Sequence, residues 1–160
     1  MNVDRAIDDV LGAEHDLADD LRRVGERHAV DSGVYHVSAT LAARCTDQAA
    51  LLEPHADRYG ACKAPPGDGS DALDRVRRMA SQMLGKSPVS GMLLLADLND
   101  LYLSAHRAEL AWVVLVQVAK ATRDDELLAA AQKGREEAER RWKWVRTRVK
   151  EASPQVLVAG

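Results

Sequence analysis

The chain has 160 residues and a formal charge of −3, with 46% apolar and 29% charged residues. That describes one globular domain able to bury a core, and it excludes a disordered chain. The charge gives no reason to expect nucleic acid or an anionic membrane as a partner.

The apolar share is mostly Ala, Leu and Val with no Phe, which favours helices over strands. The opening MNVDRAIDDV carries acids where a secretory leader needs a basic segment and an apolar run. Apolar runs at 92–96 and 110–116 are broken up by Asp97, Asp100, Arg107 and Glu109, so no membrane span is expected. A cytoplasmic protein follows, and two cysteines, Cys45 and Cys62, suit a reducing compartment. A helix between them would set them roughly 20 Å apart, too far for a disulfide.

The first predicted helix covers 3–28, with Ile7, Val10, Glu14, Leu17, Leu21, Val24 and His28 alternating three and four apart. The second starts after Asp31 or Ser32, either of which can cap it. Its seam is Val34, Val37, Leu41, Cys45, Gln48, Leu52 and His55. Pro54 should kink it or start a new turn, and Gly60 should stop it. Residues 60–90 form a crossover with a short amphipathic helix at 71–84, built on Leu73, Val76, Met79 and Met83.

A third long helix is predicted over 92–122, with a seam through Leu95, Leu98, Tyr102, Ala105, Glu109, Trp112, Val116 and Ala119. A fourth covers 124–152, with Thr122 and Asp125 as a capping box. Its seam reads Leu128, Ala131, Arg135, Ala138, Trp142, Val145 and Val149, and Ser153–Pro154 should close it. The tail 153–160 ends in apolar Val156, Leu157 and Val158, suited to docking on the bundle, on a second subunit or on another protein.

Two helical hairpins joined by about 30 residues allow the third helix to run parallel to the second. The acidic first helix and the basic stretch 132–150 of the fourth would instead attract most as antiparallel neighbours. Surface pairs contribute only about 0–1 kcal/mol each, so the length of the connection carries more weight.

Carboxylates on apolar seams need a partner, a metal or a shifted pKa. Glu14 and Glu109 hold seam positions, His106 lies one turn before Glu109, and Glu136 and Glu137 flank the fourth seam. Gly134 leaves space beside Glu137. A central layer of Glu14, Cys45, His106, Glu109 and Glu137 is predicted.

The stretches GAEHDLADDL, AHRAELAWVVL and GREEAERRW resemble helices of small stress-associated bacterial bundles in the ferritin-like superfamily. The resemblance implies an all-α four-helix bundle with a long crossover between helices 2 and 3. The superfamily's iron centre takes one Glu from each of two helices and a Glu-x-x-His from each of the others. By resemblance, Glu14 and Glu109 match the single-Glu positions and Glu137 matches one Glu of Glu-x-x-His. Arg140 stands where that motif's His should be. The second helix has no match: Glu53-Pro54-His55 has the wrong spacing, and Arg44 sits near the expected place.

Two functions follow. One is a non-catalytic structural or interaction protein, associating as a homodimer through a helix face, with its acids paired to Arg44, Arg140 or Arg141. The other is a metal-binding bundle with an oxidoreductase or stress-protection role. There Glu14, His106, Glu109 and Glu137 would hold iron, manganese or zinc. On the first reading Glu14→Leu should melt higher, since the acid would be a burial cost. Trp142 and Trp144 among basic residues do not point to nucleic acid, because Trp142 falls on the core seam and cations suit a helix C-terminus. His28 and His36 are expected at helix ends, capping or facing solvent.

Overall fold

The computed structural model describes residues 1–62 and 88–159, and among these, apolar residues three and four apart give five helices. They are α1 (Val3–Arg27), α2 (Ser32–Leu51), α3 (Glu53–Tyr59), α4 (Pro88–Thr122) and α5 (Asp125–Leu157). No strand occurs among the described residues. The short helix expected at 71–84 lies outside them.

The helix ends follow local chemistry. Asp31 caps α2 by accepting from the Val34 N–H at 3.0 Å, as its side chain allows. Pro54 sits in the first turn of α3, where its missing N–H costs nothing. Gly60, at φ 71°, ends α3 in a left-handed conformation that a side chain would disfavour.

The C-terminal half departs from expectation in two places. Asp124, not Thr122, caps α5, accepting from the Leu127 N–H at 3.0 Å. The Thr122 hydroxyl turns back onto the Val118 and Ala119 carbonyls. Ser153–Pro154 does not close α5, which continues to Leu157. Proline removes one donor but its φ is helical, and the Ser153 hydroxyl donates to the Val149 carbonyl at 2.6 Å.

Long-range pairs give the helix directions. Arg27–Asp97, Asp20–Ser104 and Glu14–Trp112 run down α1 as they run up α4, so these two are antiparallel. Asp31–Arg148 and Arg44–Glu137 do the same for α2 and α5. Thus α4 runs parallel to α2, as the long connection allows. α1 packs between α2 and α4, and α5 packs along α4. The acidic α1 and basic α5 face each other diagonally, so the length of the connection outweighed the attraction of their surface charges.

Two apolar clusters fill the interior. One gathers Leu17, Leu21, Leu41, Leu98, Leu101 and Val145. The other gathers Ile7, Val10, Leu52, Trp112, Leu115 and Leu127. Between them lies a layer with Glu14, Gln48 and Arg141, all buried.

Candidate functional site

The polar layer is built by four helices, α1, α2, α4 and α5, around one carboxylate. Glu14 on α1 is 1% exposed, as is Arg141 on α5. Glu14 Oε1 accepts from the Arg141 guanidinium and from the Trp112 indole N–H on α4 at 2.6 Å. Cys45 on α2 closes the group. Burial, followed by the adjacent Glu14 carboxylate, pushes its thiol well above the ordinary range, so it stays protonated and unreactive at neutral pH. Glu14 Oε2 and the Arg141 Nε and Nη1 are buried with no hydrogen-bond partner among the described residues.

Trp112 reaches this layer because α5 has no side chain opposite it. A Cβ at Gly134 would lie 2.4 Å from the indole ring. The space predicted beside Glu137 is therefore filled by Trp112. This contact also accounts for the rotation of α5. Its buried positions are Leu127, Ala131, Gly134, Ala138, Arg141, Val145 and Ala152. The expected seam shares Ala131, Ala138 and Val145. Leu127, Gly134 and Arg141 replace Leu128, Arg135 and Trp142 on the core side, and Trp142 is half-buried.

The residues nominated as metal ligands are dispersed among protein partners. Glu14 is held by Arg141 and Trp112. Glu137, half-buried, is bonded by Arg140 and has Arg44 at 3.7 Å. His106 stacks on Trp142 with ring centroids 4.6 Å apart, and Tyr102 meets it edge-on at the same separation. Glu109 is half-buried on α4 and Glu136 is exposed. Among the described residues no three His, Cys, Asp or Glu side chains converge on one point. The expected layer keeps Glu14 and Cys45, and gains Arg141, Trp112 and Gln48. With its central acid bonded to a guanidinium, this arrangement does not fit the di-iron centre implied by the resemblance.

Compared with models of protein families, with curated proteins and with solved structures, the chain has no significant match.

One further expectation is revised in part. His28 is the C-cap of α1, as expected, its backbone N–H donating to the Val24 carbonyl at 3.0 Å, but its side chain is 7% exposed instead of facing solvent, with Nε2 2.7 Å from Asp97 Oδ2, while Arg27 bonds the same carboxylate. His36 is exposed as expected. In the tail, a Cβ on Gly91 would meet Val156 at 3.1 Å, so Val156 docks on the start of α4. Leu157 and Val158 remain exposed. Both cysteines are free, and no described helix is long and apolar enough to cross a membrane.

The signal for Arg141 was present in the sequence. Leu127, Ala131, Gly134, Ala138, Arg141 and Val145 alternate four and three apart, as regularly as the seam through Trp142. Hydropathy favours Trp142 over Arg141, whereas the bulk of Trp112 against Gly134 and the Arg141–Glu14 pair select the second seam.

Proposed function

We propose that this chain is a ferritin-like bundle without redox chemistry, acting as a structural or interaction protein that associates with a second copy of itself. The observation that carries the reading is the Arg141 guanidinium bonded to Glu14 in the middle of the bundle. In a di-iron bundle the charge of the inward carboxylates is balanced by metal. Here a fixed organic cation balances it, and Trp112 takes the next coordination direction of the same oxygen. Glu137 has its own cations, Arg140 and Arg44. The helix directions support the ferritin-like assignment, since α4 runs parallel to α2 after a long connection.

Elemental analysis of the purified chain, before and after incubation with Fe(II) and with Mn(II), tests the reading. Metal far below one ion per chain, unchanged in Glu14→Gln, is the expected result. Stoichiometric iron or manganese that disappears in both Glu14→Ala and Glu109→Ala would replace it with the metal-binding alternative.

A further inference from the structure

The helix α4 buries one face, and among the described residues its opposite face, apolar at Leu103, Leu110 and Val114, is uncovered. Leu98, Leu101, Ala105, Ala108, Trp112, Leu115 and Ala119 face the bundle and are buried. On the opposite side Ala96, Asp100, Leu103, Arg107, Leu110, Val114, Gln117 and Ala121 are all exposed. Their spacing is four, three, four, three, four, three, four, the seam of a helix that packs on another helix. The large members are well exposed: Leu103 by 67%, Leu110 by 61% and Val114 by 47%. Three large apolar side chains exposed at successive seam positions of one helix are more than scattered surface residues.

We infer that this outer face of α4, with the adjoining groove against α1, is where a second copy of the chain docks antiparallel to form a two-fold dimer. The seam is complementary to itself when reversed. About a centre between Arg107 and Leu110, Leu103 meets Val114 of the second copy, Ala96 meets Ala121, and Asp100 meets Gln117. Ala96–Ala121 and Leu103–Val114 match in size, Asp100–Gln117 is a polar pair, and each pair occurs twice, as an isologous contact requires.

The charges fit the same arrangement. Asp8, Gly12 and Asp16 of α1 line the groove with Leu110, Ala111 and Val114. Nothing lies within 4 Å of a Cβ placed on Gly12, so the groove is open there. Asp8 Oδ1 is buried in its wall and has no hydrogen-bond partner among the described residues. The seam's one cation, Arg107, is 75% exposed and only 3.7 Å from Asp16. Reversal sets it opposite Leu110 of the second copy, beside that copy's Gly12 and between its acids. The area is sufficient. The seam spans 25 residues of rise, about 38 Å, and a face two helices wide over that length approaches the ~800 Å² per partner of a standard interface.

This deepens the interaction reading above and rests on it. Elemental analysis tests the core and a mass measurement tests this face, so either can fail alone. The full chain is run by size-exclusion chromatography with light scattering, alongside Leu110→Glu, Leu103→Glu and the tail variant Leu157→Glu. Wild type and Leu157→Glu should have the mass of two chains. Leu110→Glu and Leu103→Glu should each have the mass of one, with helical circular dichroism and melting unlike those of an unfolded chain. A second variant guards against one simply failing to fold. A dimer that survives both α4 variants would overturn the face while leaving self-association standing. A monomeric wild type would overturn both, and a monomeric Leu157→Glu beside dimeric α4 variants would move the contact to the tail.

Discussion

Glu14 illustrates why a buried acid must be read together with its partner. The sequence offers Arg44, Arg140 and Arg141 as its partners and, on that non-metal reading, treats the acid as a burial cost whose removal should raise the melting temperature. With Arg141 bonded to it in the core, Glu14→Leu would leave a guanidinium buried without a counter-charge. The expected sign reverses. Gly134 is the second residue on which the layer depends. Gly134→Ala adds a methyl 2.4 Å from the Trp112 ring. Overpacking of this kind costs about 1–3 kcal/mol, against about 1 kcal/mol gained in helix propensity. We expect a lower melting temperature and a changed Trp fluorescence, since the indole must leave Glu14. A variant as stable as wild type with unchanged emission would show that α5 can shift freely and that the ring does not set its rotation.

At the scale of the elements, most helix positions were legible because three-and-four spacing over twenty residues has few competing explanations. Val3–Arg27 coincides with the expected span to one residue, and Pro54 and Gly60 marked the short α3 as expected. Rotation and capping were less legible. Two equally regular seams run along α5, one with Trp142 and one with Arg141, and a packing contact from another helix decides between them. Thr122 and Asp124 are both good capping residues, and the choice depends on Tyr59 and Arg58 from α3, which bond Asp124 and hold it in place.

That same contact makes α5 sensitive to acid. Burial raises the Asp124 carboxyl, but the Leu127 N–H, the Tyr59 hydroxyl and the Arg58 guanidinium outweigh it and hold the group at about 2, below its ordinary 3.8. A carboxyl depressed in the folded state contributes stability that is complete above the unfolded value and is lost as pH falls towards the folded one. Asp124→Ala should therefore cost about 1 kcal/mol near neutral pH. In urea unfolding at a series of pH values, the gap between wild type and variant should narrow between pH 4 and pH 2. A gap that is constant over that window would mean the carboxylate charge contributes nothing to the cap.

For the whole molecule, the architecture followed from one number in the sequence, the length of the link between the second and third long helices. It allowed α4 to run parallel to α2, which leaves α1 and α5 on the diagonal. Glu14 meets Arg141 across that diagonal. The fold was thus more legible than its centre, because connection length and periodicity survive changes of rotation, while the identity of an inward side chain does not. A layer of carboxylates awaiting metal and a layer closed by an ion pair differ by about one position on one helix.

The account therefore rests most directly on the coupling between Glu14 and Arg141, measured by urea unfolding of Glu14→Leu, Arg141→Met and the double variant. Breaking a buried pair from either side costs about 3–5 kcal/mol, whereas replacing both partners by hydrocarbon is often neutral or stabilising. We predict two strongly destabilised single variants and a double variant at least as stable as the better of them, close to wild type. Single losses that simply add in the double variant, or a Glu14→Leu chain more stable than wild type, would contradict the pair as the centre of this bundle.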